Sequence, residues 1–482
     1  MRYKKVLLLN PSVTGSYLGP IRPSAGLGYI AQFLEANSIT VEVMDMVLGY
    51  KPKHLWEKID KFKPDLIGVT VWTYRYKDTY NLIEMIKKRY PDIKIVVGGP
   101  HISTLRLDAF NECSAIDFGI VLEGENTMLE LCQDKSFSEI KGLIHRNEKE
   151  LLYNGDREFN SDLDSLPFPK YEKFELNKYF LKEIMVISSR GCPFDCIYCP
   201  VKLAIGRNLR VRSAGNVVDE IEYWYAKNYR RFNFADDNFT FFKERVYEIC
   251  GEIEKRGFTG LDLRCGNGIR ADKVDKPLLK RMREAGFNYI GLGVEAGNNR
   301  MLGILKKGEP IERIDKTIED ACSLGYDVTL FFLAGSPGET VSDVEDSIKL
   351  AEKYPVFEAR FYNIIPYPGT ELFKWLKDKN LFLEEPQNYL NDASAFSNKP
   401  LFETEQLRAS ERIKLFKRLK KIENRILKKT IKRKLKKYGW PGIFIANLIS
   451  VRLIYYLIRH NKTIRCLSER MRAVRVNQRV LV

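Results

Sequence analysis

The sequence predicts an α/β protein: a doubly wound parallel sheet, then an open barrel of six β/α units, then a basic helical tail. Three observations predict it. Short apolar runs alternate with helix-period runs from residue 6 to residue 131, and again from residue 184 to residue 364. A polar arm, residues 151–183, separates the two series and contains Leu166-Pro167-Phe168-Pro169. The charge is uneven. The 482 residues carry a net +16, yet residues 401–482 hold 23 Lys and Arg against 5 Asp and Glu, which leaves the first 400 residues near neutrality.

In the first series, residues 1–150, strands are predicted at 6–9, 41–44, 66–70, 94–97 and 118–122, with helices at 27–37, 80–89 and from Glu125 through Leu131. Basic residues precede Val6-Leu7-Leu8-Leu9, but that run ends at Asn10-Pro11, short of the roughly seven or more apolar residues of a signal peptide. Small residues mark the strand ends: Gly68 and Thr70, Gly98 and Gly99, then Gly124 before Glu125. Ligands of such sheets lie outside the carboxyl ends of the strands. Residues without bulk there let a large ligand reach the backbone. His101 follows the Gly98-Gly99-Pro100 turn. A GxGxxG dinucleotide fingerprint is absent from the sequence.

In the second series, residues 184–400, strands are predicted at 184–188, 232–235, 262–266, 289–294, 328–334 and 357–364. Helices are predicted at 214–227, 243–256, 276–285, 311–324 and 341–354. Barrel chemistry sits at strand carboxyl ends. Those ends read Asp236-Asp237-Asn238, Arg264-Cys265-Gly266-Asn267 with Arg270, Glu295-Ala296-Gly297-Asn298, Gly335-Ser336-Pro337-Gly338-Glu339-Thr340 and Pro366-Tyr367-Pro368-Gly369-Thr370. Such runs are also ordinary turn chemistry. What sets them apart is that all fall at one end of the barrel.

The first barrel strand runs into Ser188-Ser189-Arg190-Gly191-Cys192-Pro193-Phe194-Asp195-Cys196-Ile197-Tyr198-Cys199-Pro200. Gly191 and Pro193 break any helix, so the loop can wrap a compact object. Three thiolates from one loop can hold three irons of a cubane and leave the fourth open. The spacing also admits unrelated buried thiols or half of a zinc site. A zinc site needs a fourth Cys or His at finger-like spacing, and none follows Cys199 closely. Cys250, Cys265 and Cys322 show no spacing for a second cluster. Nine scattered cysteines are no disulfide scaffold and imply a reducing cytosol.

The CxxxCxxC pattern, with Tyr198 before its last cysteine, resembles the signature of radical S-adenosylmethionine (SAM) enzymes. Gly68-Val69-Thr70, Gly98-Gly99-Pro100-His101 and Gly124-Glu125 resemble, in order, the Rossmann-like cobalamin-binding domain that precedes many partial TIM barrels of that family. The resemblance implies a 4Fe-4S cluster on Cys192, Cys196 and Cys199 that cleaves SAM to a 5′-deoxyadenosyl radical. It places Asp236 and Asp237 at the methionyl amine and Glu295 at the strand-four contact to SAM. Tyr198, Arg270 and Gly335 join the SAM site. Thr70, Gly98, Gly99, His101, Gly124 and Glu125 join the cobalamin site. Three departures stand out. The Gly-Gly-Glu usual after strand two is Asp236-Asp237-Asn238. The Ser usual after the strand-four Glu is Ala296. The cobalt-ligating Asp-x-His-x-x-Gly is Asp45-Met46-Val47-Leu48-Gly49, without histidine.

The tail, residues 401–482, joins a Lys- and Arg-studded helix over 414–437, with Leu415, Phe416, Leu419, Ile422 and Ile426 at helical spacing, to an apolar run over 443–458. Asn447 and Arg452 interrupt that run, which falls short of the about 20 apolar residues of a spanning helix. A peripheral place at the inner membrane face ranks first, with Trp440, Tyr455 and Tyr456 beside basic residues. A plain helical cap on the barrel ranks next, and nucleic-acid binding last.

The functional expectation is a cytoplasmic, cobalamin-dependent radical SAM enzyme that methylates an unactivated carbon of a lipid or other small molecule. Its electrons would come from a flavodoxin or ferredoxin. Oxidative cyclisation or ring rearrangement is the alternative chemistry, and a cobalamin or iron–sulfur sensor the non-catalytic one. Methylthio transfer to tRNA needs three cysteines in the first domain. That domain holds two, Cys113 and Cys132.

Overall fold

The computed structural model describes residues 1–11, 22–147, 150–396, 399–442 and 444. The first apolar runs become the strands β1 (Lys5–Asn10), β2 (Thr40–Asp45), β3 (Leu66–Thr70), β4 (Lys94–Gly98) and β5 (Phe118–Ile120), followed by β6 (Leu143–Asn147) and β7 (Glu150–Tyr153). They form one sheet in the order β2-β1-β3-β4-β5-β6-β7. Pairings from β2 through β5 are parallel. Continuous rather than alternating apolar runs, such as Val6-Leu7-Leu8-Leu9, fit strands covered on both faces. The order reverses between β1 and β3, so a crevice opens at the carboxyl ends of those two strands.

Two parts of this domain depart from the sequence expectation. The hairpin β6–β7 adds antiparallel strands to the sheet, so the connecting arm starts after Tyr153 rather than at residue 151. The helix Pro52–Phe62 is also new, opened by Pro52 at its first position. The arm is less polar in effect than in composition. Tyr171, Phe174 and Tyr179 are buried, and the Tyr179 hydroxyl donates to Asp45 at the end of β2.

The second series builds β8 (Glu183–Val186), the short pair β9 (Ser189–Arg190) and β10 (Arg210–Val211), then β11 (Arg231–Phe234), β12 (Asp262–Ile269), β13 (Phe287–Glu295), β14 (Asp327–Ala334) and β15 (Glu358–Asn363). The six long strands pair in parallel in the order β8-β11-β12-β13-β14-β15. All five predicted connecting helices are present, the first as Ala214–Ala226 and the last as Val341–Lys353. Three of the five starts follow from capping chemistry: Ser213, Asp275 and Thr340 each accept from a backbone N–H three residues on. This is a partial α/β barrel whose chain returns every strand's carboxyl end to one rim.

The tail helix, Ala409–Leu435, lies along β15. Leu415, Phe416, Leu419, Ile422 and Ile426 are buried, and Glu423 accepts the Phe361 N–H at the edge of β15. An edge strand left bare would invite pairing; this helix covers it. Its apolar stripe therefore packs on the barrel, while most of its Lys and Arg face away from it. The apolar run over 443–458 lies outside the described residues, apart from Phe444. Among the described residues, no helix is long and apolar enough to cross a membrane.

Candidate active site

The cysteine loop leaves β9 through Gly191, whose φ of +104° favours glycine. The loop is held by backbone bonds on several sides. Cys192 N–H donates to Gly206 C=O at 3.1 Å, and Cys199 N–H to Cys196 C=O at 3.2 Å. Ile197 N–H reaches Leu305 C=O at 3.2 Å, and Leu372 N–H reaches Ile197 C=O at 3.0 Å. Cys192, Cys196 and Cys199 are free thiols at intermediate exposure.

Burial pushes the Cys199 thiol up to about 12, and the charges of Cys196 and Cys192 add to the rise. Burial also raises Cys196, with Lys307 working against it. Three neighbouring thiols, with Cys199 feeling the charge of the other two, form a donor set that a cation would stabilise. No three His, Cys, Asp or Glu side chains among the described residues converge on a single ion. A cubane asks for something else, one thiolate per iron. The residues present fit that group.

Around the loop the expected residues separate into two kinds. Asp236 was expected at the methionyl amine, but its carboxylate is buried and spent in the fold. It accepts from Ser188 N–H at 2.7 Å, Ser188 Oγ and Ser189 Oγ at 2.9 Å. Arg270 is likewise structural. It bonds Asp272 at 2.9 Å and Lys307 C=O at 2.8 Å, and stacks 3.5 Å over the Phe194 ring beneath the loop. Asp237 is half-buried, with the Asn267 side chain as a hydrogen-bond partner. Burial, with the Asp236 charge, pushes its carboxyl up to about 6, and its charge is felt at Cys199.

Glu295 ends β13 with φ +66° and meets Lys307 Nζ at 3.3 Å. Lys307 also meets Glu309 at 3.4 Å. Burial works against the Lys307 ammonium, but Glu295 and Glu309 more than offset it, so it stays charged beside Cys196. Tyr198 is half-buried next to Cys196 and Glu295, and loss of solvation raises its phenol well above the ordinary range. Sequence reading missed Lys307. Its signal was weak: one lysine of a Lys306-Lys307 pair, twelve residues beyond Glu295.

Gly335 ends β14 with φ +88°. Its N–H and that of Ser336 donate to Glu339, which burial pushes up to about 7 against those two bonds. Glu339 thus holds its proton in the fold well above the ordinary 4.5. Stability is therefore expected to fall as pH rises from about 4.5 to 7, by up to about 3 kcal/mol from this group. Glu339→Gln should flatten that slope in denaturant titrations run across the range.

The first domain's expected residues also divide. Thr70, Gly98 and Gly99 meet at the ends of β3 and β4. A Cβ on Gly99 would lie 3.0 Å from Val71 C=O. Gly124 opens the helix Glu125–Cys132. His101 follows Gly98 and Gly99 on the helix Pro100–Leu105. It is fully buried, stacks on Tyr76 at 4.3 Å and bonds Tyr80 Oη at 3.0 Å. Burial drops it to about 3, so it is neutral. Glu125 is taken up by Arg190 at 2.7 Å. Asp45 accepts from Asn10 and Tyr179 and belongs to the fold.

The radical SAM superfamily model matches residues 186–351, and the B12 binding domain model matches residues 12–132. An uncharacterized methyltransferase of Pyrococcus horikoshii is 30% identical over 395 residues, covering 80% of this chain and 85% of the relative. This chain belongs to the radical SAM superfamily, in its cobalamin-dependent methyltransferase family. An anaerobic magnesium-protoporphyrin IX monomethyl ester cyclase of Rubrivivax gelatinosus is 27% identical over 408 residues, covering 80% of this chain and 72% of the relative. The fold matches that of the cobalamin-dependent SAM radical enzyme OxsB with a TM-score of 0.74 at 18% identity, over 97% of this chain and 75% of the other. The cofactors of this radical SAM enzyme are accordingly a 4Fe-4S cluster, SAM and cobalamin.

Proposed function

We propose that this enzyme methylates an unactivated carbon of a lipid or other small-molecule substrate. Cluster and SAM, when bound, supply hydrogen-atom abstraction, and cobalamin supplies the methyl group. The chain's own part is to hold and orient. Cys192, Cys196 and Cys199 would each take one iron. Asp237 would receive the methionyl ammonium and Lys307, paired with Glu295, the carboxylate side of SAM. Asp236 and Arg270 keep the floor beneath them rigid. Thr70, Gly98, Gly99 and Gly124 leave backbone open to the corrin, in the crevice where the strand order reverses. We assign residues 1–153 to cobalamin, 154–182 to the arm, 183–400 to the SAM barrel and 401–482 to the tail.

The observation that carries this reading is the set of three free, part-exposed thiols in one loop at a barrel strand's carboxyl end. Electrons would come from an external flavodoxin- or ferredoxin-like donor. Lys414, Lys417, Lys421, Lys428 and Lys432 form an exposed stripe on the tail helix, and Trp440 is 80% exposed beyond it. These support a peripheral contact with anionic lipid.

The test is anaerobic reconstitution with SAM and a reductant, with and without cobalamin, on lipid extract, read by mass spectrometry. A cobalamin-dependent gain of one methylene is expected. Loss of two hydrogens would instead favour oxidative cyclisation. Absence of 5′-deoxyadenosine would leave a sensor. Changing Cys192, Cys196 and Cys199 to alanine should abolish 5′-deoxyadenosine; its survival would sink the proposal.

A further inference from the structure

Two carboxylates of the first domain and two guanidiniums of the barrel meet beside the cysteine loop. Glu123 and Glu125 flank Gly124, just past the carboxyl end of β5. Arg190 ends β9, two residues before Cys192, and Arg210 lies opposite it on β10. Arg190 Nη1 lies 3.1 Å from Glu123 and its Nη2 lies 2.7 Å from Glu125. Arg210 Nη1 donates to both Glu123 oxygens, at 2.8 and 2.9 Å. All four side chains are at most 13% exposed.

The quartet is anchored on each side. Arg210 also donates to Asn160 C=O at 2.9 Å, and Asn160 N–H donates to Glu123 at 3.2 Å. The Arg190 guanidinium lies 5.0 Å from the Tyr29 ring centroid, on the first helix of the chain. Leu122, just before Glu123, holds φ +66°, a strained value for a leucine. Its N–H is fixed by Ser103 Oγ at 2.9 Å. The β5 turn is thus tied to the helix Pro100–Leu105 of its own domain and to the barrel at once.

The quartet is neutral as a set, two charges of each sign. Removing any one member leaves a buried charge without its partner, which is far costlier than losing an exposed pair. Arg190 bridges two carboxylates in different directions, a geometry that one lysine ammonium cannot reproduce. An ordinary domain contact does not require a bidentate bridge at the base of the ligand loop.

We propose that Glu123, Glu125, Arg190 and Arg210 form a positioning clamp that sets the cysteine loop against the carboxyl edge of the first sheet. A ligand that orders the β5 turn is thereby felt at Cys192. These are positioning residues, acting through the loop and not on substrate. The inference rests on reading the loop as cluster ligand and the first sheet's edge as the cobalamin site. Two measurements keep the failure of that reading separate from the failure of the clamp.

The first uses the full chain without cofactors. Glu125→Gln and Arg190→Lys are compared with the parent by amide hydrogen exchange of residues 189–199. Loss of one charge-assisted bond should speed exchange there by about tenfold or more in Glu125→Gln. Arg190→Lys, which keeps the charge, should fall between Glu125→Gln and the parent. Unchanged loop exchange in both variants overturns the clamp, whatever the chain binds.

The second uses protein reconstituted with iron and sulfide. Hydroxocobalamin is added, and the electron paramagnetic resonance spectrum of the reduced cluster is recorded. The reductant also converts the added cobalamin to paramagnetic cob(II)alamin, so the change read is in the cluster's own g-values, which should shift in the parent. Glu125→Gln should bind both cofactors yet lose that change. An identical change in variant and parent, or none in a parent that holds both cofactors, overturns the coupling. A parent that takes up neither cluster nor cobalamin defeats the functional reading instead, and the exchange result then decides the clamp alone.

Discussion

Replacing Gly191 with alanine is expected to strip the cysteine loop of iron while leaving all three thiols in place. At φ +104° a residue other than glycine is strained by about 1–3 kcal/mol. The new Cβ would also lie 2.1 Å from the Asn208 carbonyl oxygen and 2.8 Å from its carbon. These are backbone atoms, so no rotamer relieves the contact, and the β9–β10 pair must open. The combined cost should be at least about 3 kcal/mol, or a hundredfold or more in iron affinity. Iron and sulfide per chain after anaerobic reconstitution measure it. Gly215→Ala is the control. It sits in the helix Ala214–Ala226 with nothing within 4 Å of a new Cβ, so it should be neutral or stabilising by about 0.5–1 kcal/mol. A full iron complement in Gly191→Ala would show that the loop does not depend on this turn.

Glu220→Ala should cost about 3–5 kcal/mol of stability. Its carboxylate pairs with Arg212, and the two side chains are 0% and 2% exposed. Arg212 also bonds Ile187 C=O at 3.1 Å, Asn216 C=O at 3.0 Å and Tyr29 Oη at 3.2 Å. Removing the carboxylate leaves a buried cation held only by neutral acceptors. Denaturant titration should show the loss. The double variant Arg212→Met with Glu220→Leu should recover most of it, because a well-packed apolar pair avoids the desolvation penalty altogether. A single-variant cost under about 1 kcal/mol would mean that water reaches the pair in solution.

The two positions show what kind of information each residue carried. Gly191 was legible in sequence as a helix breaker before the first cysteine. Its contact with Asn208 was not, because that approach depends on β9 and β10 pairing across the 19 intervening positions 191–209. Glu220 looked like one more carboxylate on a helix. Only the packing of Arg212 beneath Tyr29 buries it. Asp236 and Arg270 found their partners in the fold for a related reason. Their position at the carboxyl rim is set by strand periodicity, but side-chain direction at a turn is not. His101 followed a promising glycine turn, yet the helix Pro100–Leu105 rotates it inward between Tyr76 and Tyr80.

Sequence alone determined most of the order of strands and helices, the hairpin β6–β7 and the helix Pro52–Phe62 excepted, together with the two βα series, the thiol loop and the basic tail. Each rests on local periodicity, turn residues or spacing, and these survive without knowledge of neighbours. Tertiary structure decided which polar residues remain available. Asp237 and Lys307 face the loop, Asp236 and Arg270 are consumed beneath it, and Glu123, Glu125, Arg190 and Arg210 find one another across two domains. The physical reason is that a buried polar group must be matched, and its match comes from residues far away in the chain.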